Sequence, residues 1–234
     1  MLAFYNEIFY RPVLNGLVFL TTALPGHDLG LAVILLTVIV RLLMFPLAHK
    51  MLKTQKIMQR LDPEIKKINA DKKNKEDQSK ALMELYRAHG INPFSGFLAM
   101  LIQFPLLIAL YQVFWKGIPF ELQAIYSFLT VPAEINILFL GLVVLTKPNI
   151  IFAALAAVSQ FFQARLAMPP KKNSLPKNDF ASAMQSQMVY FFPILIFFLG
   201  FTMPAAVSLY WTSMNIFAIV HEAMVRRNAD FASK

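Results

Sequence analysis

The chain has 234 residues, 57% of them hydrophobic and 13% aromatic, with a mean hydropathy of +0.54; this is too apolar for an ordinary soluble domain and points to a polytopic membrane protein. The net charge of +9, from 22 Lys+Arg against 13 Asp+Glu, fits basic cytoplasmic loops rather than a nucleic-acid surface. With no cysteine there is no residue for a disulfide, a thiolate metal site, thiol catalysis or a cysteine-linked lipid anchor.

In chain order, MLAFYNEIFYRPVLNGLVFL carries neither a basic leading region nor a small-residue cleavage site, so it reads as part of the mature protein. Residues 1–28, built on PVLNGLVFLTTAL before Pro25-Gly26, predict an amphipathic helix lying along the outer interface. A sixth span is the alternative for this stretch, and it would invert the terminus without moving the loops. Five spans are predicted at 29–47, 93–116, 149–166, 188–203 and 204–221, close to the ~20 residues a bilayer requires. They are read as helices because only helices and closed barrels satisfy their backbone in lipid.

Between the first two spans, residues 48–92 hold eleven lysines and arginines, which places this loop in the cytoplasm. Ile57, Leu61, Ile65 and Ile68 recur at three to four residues, NADKKNKEDQS interrupts, and Leu82, Leu85 and Tyr86 resume before Gly90. The pattern is that of a helical hairpin, followed by Asn92-Pro93 as cap and first turn of the second span. Lys66, Lys67, Lys72 and Lys73 on this hairpin are candidate contacts to anionic lipid, a ribosome or a partner protein. For any one of them, a merely solvated connector is the competing reading.

INILFLGLVVLT, Ile135 to Thr146, is apolar but only 12 residues long. Counting it as a span would move Arg165, Lys171, Lys172 and Lys177 to the outside, against the charge rule. It is therefore read as an interfacial or re-entrant piece of an outer loop, 117–148. The loop 167–187 and the tail 222–234, with Arg226, Arg227 and Lys234, then fall in the cytoplasm, and the N-terminus outside.

One arginine, Arg41, interrupts VILLTVIVRLLMFPL. On a straight helix it lies eight residues, ~12 Å, above His49, too deep for comfortable snorkelling. Gln103 stands eight residues from Ser95 and Ser213 eight before His221, with Trp211 half a turn deeper. Thr37 lies one turn from Arg41 on the same face, and Gln160 and Gln163 enter the third span near its cytoplasmic end. The spans offer no Asp or Glu to pair with Arg41, so water is its expected partner in a polar cluster on the cytoplasmic side. For Gln160 or Ser213 taken singly, ordinary interhelical hydrogen bonding is an equal reading.

No phosphate, zinc or Ser-His-Asp motif is present, and no cofactor or metal is expected; His49 and His221 read as interfacial residues at helix ends. A solute transporter or channel subunit is an alternative, although such folds generally use an intramembrane carboxylate or paired repeats. A non-catalytic scaffold that recruits ribosomes through the basic hairpin and tail is another.

VRLLMFPL, LDPEIKKI, ALMELYRAHGINPFSGF, LIQFPLLIALY, LTKPNIIFAALAAVSQF, MVYFFPI and PAAVSLYWTSMN follow one another along nearly the whole chain, and in this order they resemble the YidC family of membrane protein insertases. The resemblance implies an all-α core of five transmembrane helices with a hydrophilic groove open to cytoplasm and lipid and closed outside. It implies the bacterial plasma membrane as location, and insertion and chaperoning of nascent membrane proteins without nucleotide hydrolysis. Arg41 matches the family's groove arginine; Thr37, Gln103 and Trp211 match groove-lining or substrate-contacting positions. Membrane lipids, and a ribosome or Sec translocon, are the further partners it suggests.

Overall fold

The computed structural model describes residues 2–71, 74–90, 92, 95–116, 122–167 and 187–231. The first helix, α1 (Leu2–Tyr5), runs through a π-turn (Asn6–Tyr10) into α2 (Arg11–Ala23) without a break; Pro12 has no N–H to bond the preceding turn, and the wider π-turn, with Arg11 N bonding Asn6 O, stands directly before it. Leu14, Leu17 and Val18 on α2 are buried, against α3 (Leu29–Leu43) and α6 (Ser95–Lys116). Phe4, Ile8 and Phe19 face outward.

The predicted first span is not one straight helix. It breaks at Met44, and α3 and α4 (Phe45–Asp71) meet at 62°. Pro46 in the first turn of α4 has no N–H to offer the carbonyl four residues back, so the chain re-starts its ladder with Met44 N bonding Val40 O and Ala48 N bonding Met44 O. The hairpin then follows as α4 and α5 (Lys75–Ala88), which pack on each other. The Asn74 side chain caps α5 by accepting from Glu76 N at 3.1 Å. Pro93, the expected first-turn proline of the next helix, lies outside the described residues, as does most of the loop 167–187.

After α6, the stretch expected to be interfacial or re-entrant forms a small antiparallel β-hairpin, β1 (Leu138–Phe139) and β2 (Val143–Val144), with Leu138 opposite Val144 and Phe139 opposite Val143. Then come α7 (Ile150–Ala167), a π-turn (Gln187–Phe191) leading into α8 (Phe192–Thr202), and α9 (Ala205–Phe231). Among the described residues one unbroken helix, α7, is long and apolar enough to cross a membrane; α3 with the start of α4 qualifies only as a bent pair. Phe104–Lys116 and Val189–Thr202 are shorter apolar helices.

The core is asymmetric. Its buried residues come from α2, the first half of α3 (Leu29 to Leu36), the last half of α6 (Ala109 to Phe114), Phe152 of α7 and the start of α9 (Ala205 to Tyr210). All of these belong to the end of the bundle where α3, α7 and α9 begin. The connecting loops cap that end. Asp28 accepts from Leu31 N at 2.8 Å, and Asn149 accepts from Ile151 N and Phe152 N at 3.0 and 3.2 Å. The carbonyls of Lys147 and Leu145 receive Ala205 N and Ala206 N at 2.9 and 3.1 Å, so the orphan donors of three helix starts find partners. Asn15, buried on α2, adds a bracket by donating to Ala124 O at 3.0 Å and accepting from Tyr126 N at 2.7 Å.

Candidate functional site

The α3–α4 bend re-positions the arginine. Arg41 is three residues from the break, so the straight-helix depth of ~12 Å does not apply: the axis turns aside within one turn of it. Its side chain is half-buried, and among the described residues it makes no ion pair or hydrogen bond. Tyr210 of α9 and His221, one face further along the same helix, lie within its electrostatic reach. Thr37, one turn away, is buried and satisfies its hydroxyl on Val33 O at 2.7 Å, leaving a methyl toward the neighbours. It lines, with Val40, Leu106, Leu110 and Tyr210, a cavity of ≈ 10 Å³, room for about one water.

A second polar group lies on another face of α9. Trp211 Nε1 donates to Gln160 Oε1 at 3.0 Å, and Gln160 Nε2 donates to Gln163 Oε1 at 3.3 Å. One turn further, Asn215 Nδ2 donates to Ser159 Oγ at 3.1 Å, both residues buried. This seam stitches α9 to α7. Ser213, two residues from both Trp211 and Asn215, lies on the opposite side of α9 with its hydroxyl turned back to Leu209 O at 2.8 Å. Thus Gln160, Gln163 and Trp211 form one bonded chain, while Thr37 and Arg41 gather around Tyr210. Gln103 lies on α6, but its side chain falls outside the described residues, as do Lys72 and Lys73. Of the hairpin lysines, Lys67 is exposed and Lys66 half-exposed on α4.

Two features escaped the sequence. Tyr210 is the aromatic that faces Thr37 and Arg41, eleven residues before His221 and therefore on nearly the same helical face; that spacing was the available signal. His221 is packed against other side chains and lies within α9 rather than at its end. Its ring stacks on Phe45 at 4.3 Å between centroids and its Nε2 lies 3.3 Å from His49 Nδ1. The α3–α4 bend brings these rings together, and no local pattern announces a contact across 172 residues.

A half-buried cation without a carboxylate, beside a tyrosine and backed by an apolar, capped bundle end, can attract a passing anionic group without holding it permanently. Comparison with known proteins bears on what passes. A family model described as 60Kd inner membrane protein matches residues 20–232. The chain is 31% identical over 230 residues to membrane protein insertase MisCA of Bacillus subtilis, covering 95% of this chain and 79% of that protein. It is 30% identical over 236 residues to membrane protein insertase YidC 2 of Bacillus anthracis, covering 98% and 84%. A crystal structure of an active YidC insertase with its first transmembrane domain resolved superposes with a TM-score of 0.58 at 25% identity, over 92% of this chain and 45% of that one.

Proposed function

This chain belongs to the 60Kd inner membrane protein family, the membrane protein insertases, and from that premise we propose how it inserts. Five spans carry the bundle, with residues 1–28 along the outer interface, the hairpin 48–92, the loop 167–187 and the tail in the cytoplasm, and the N-terminus outside. The distribution of lysine and arginine supports this orientation, and it puts the apolar core at the outer end.

In this reading the outer end is closed by packing, while the cytoplasmic half holds a groove lined by Arg41, Thr37, Tyr210 and, across α9, Trp211 with Gln160, Gln163 and Ser213. Gln103 on α6 belongs to the same proposal. A nascent segment enters from the cytoplasm with its hydrophilic flank in the groove. Arg41 attracts an acidic flank transiently, and the apolar segment leaves between helices into lipid. Burial of that segment's apolar surface, at ~25 cal/mol per Å², supplies the drive, so no nucleotide is spent. Lys66 and Lys67, and by their place in the sequence Lys72 and Lys73, are the hairpin residues to which a ribosome or a Sec-type channel would dock.

The observation that carries the reading is Arg41 itself, half-buried and without an acidic partner among the described residues. The test is reconstitution of purified protein into liposomes with a single-span substrate bearing a short acidic N-tail, scored by protease protection. Protection above empty liposomes without nucleotide, reduced several-fold by Arg41→Ala, is expected. Insertion of every client at the wild-type rate by Arg41→Ala would remove Arg41 from the mechanism; flux of a small solute through the protein would favour a transporter instead.

A further inference from the structure

The outer β-hairpin is built firmly and ends in a turn of the wrong chemistry for water. Phe139 anchors it: buried, it packs directly onto Gly30 of α3 and meets Phe152 of α7 edge-on, ring centroids 6.1 Å apart. Leu145 N bonds Ile137 O at 2.9 Å, and Asn136 joins both Leu29 and His27 through its backbone. Beyond this stalk the chain reverses through Leu140, Gly141 and Leu142. Leu140 holds φ at +54° and Gly141 at +70°.

Left-handed turn positions in water are normally filled by Asn, Asp or Gly, and a leucine there is strained because its Cβ crowds the following carbonyl oxygen. Here leucine occupies one, and its side chain is 67% exposed, with Leu142 at 81%. From Ile135 to Thr146 there is no charged residue, and Lys147 follows at once. The stalk stands at the first turn of α7, where Ile150 and Ile151 are also exposed. The tip is within three residues of Phe139, or ~10 Å. Trp115, at the same end of the bundle as the last turn of α6, is 68% exposed, as interfacial aromatics are.

We propose that the Leu140–Gly141–Leu142 turn is a wedge that dips into the acyl–headgroup boundary of the outer leaflet, continuing the lipid-facing surface of α7. This rests on the membrane-spanning reading above. Lipid, rather than a protein, is the occupant because the tip offers leucines with neither a charge nor a polar rim to specify a partner, while the lysine behind it is placed for phosphate headgroups. Alternation along the strands explains the design: Phe139 turns inward to hold the bundle, and Leu138 and Leu140 turn away from it.

The chain lacks cysteine, so single nitroxide labels can be placed on the full protein without removing any residue. Leu142→Cys, Val158→Cys on the exposed face of α7 and Glu134→Cys in the outer loop would be compared in phosphatidylethanolamine–phosphatidylglycerol liposomes. Each is read as accessibility to oxygen against a water-soluble nickel chelate. The expected result is a Leu142→Cys oxygen preference below that of Val158→Cys, which lies midway along α7, and several-fold above that of Glu134→Cys. A Leu142→Cys label as open to nickel as Glu134→Cys, with Val158→Cys still in lipid, overturns the wedge alone. Nickel access at Val158→Cys overturns the membrane-spanning reading instead. Shielding of Leu142→Cys from both reagents assigns the tip to a protein contact and also overturns the wedge.

Discussion

Arg41 is a charge whose surroundings neither neutralise nor fully bury it. A guanidinium presents five donors and stays protonated, so in the proposed role it would bind a passing carboxylate in two-point geometry that a lysine does not reproduce. Arg41→Lys is therefore expected to keep part of the insertion of acidic-tailed substrates while Arg41→Ala loses more, and neither change should affect a substrate with an uncharged tail. Initial rates in proteoliposomes would show the order. At Gly200 the limit is steric. A β-carbon there would stand 2.6 Å from Ser208 Oγ and 3.1 Å from the Ala153 backbone, so Gly200→Ala must push α8 off α7 and α9, at roughly 1–3 kcal/mol. Ser208 Oγ is itself buried with no hydrogen-bond partner among the described residues. Ser208→Ala removes an unsatisfied group, and is expected to raise the thermal midpoint in detergent slightly or leave it unchanged.

At the scale of elements, the bend between α3 and α4 follows from one proline near the start of a helix, and it decides where the hairpin goes. Pro46→Ala restores the missing donor and should let the two axes straighten from 62°. Paired spin labels on α3 and α4 would report a longer distance between them, together with loss of the stacking of His221 on Phe45. The loop after α6 is bracketed most tightly by one amide. Asn15→Ala leaves Tyr126 N without its partner and Ala124 O with only the longer bond from Arg11 Nε at 3.4 Å; an expected loss of about 1–3 kcal/mol would appear in thermal unfolding, with faster proteolysis of the 122–134 segment. The hairpin pattern of the basic loop was legible from three-to-four-residue spacing, because amphipathic helices advertise their faces. The β-hairpin was not, since twelve apolar residues fit a short helix, a strand pair or an interfacial segment equally.

For the molecule as a whole, the proposed groove, closed at the outer end and polar on the cytoplasmic side, would make insertion directional. A negative-inside potential favours outward movement of an acidic tail by ~2.3 kcal/mol per charge per 100 mV. Imposing a potassium diffusion potential on proteoliposomes should therefore raise translocation of an acidic tail, leave a neutral tail unchanged and retard a basic one. The sequence by itself determined the membrane class, the gathering of lysine and arginine between the apolar stretches and the absence of Asp and Glu from the predicted spans that surround Arg41, because hydropathy and charge are carried by composition along the chain. Only the tertiary structure decided that Arg41 faces Tyr210 while Trp211 bonds Gln160 on another side of α9. It also decided that His221 is buried on Phe45 and that the core gathers at the end of the bundle where α3, α7 and α9 begin. Those facts depend on helix rotation and on contacts between residues far apart in sequence, which local periodicity does not encode.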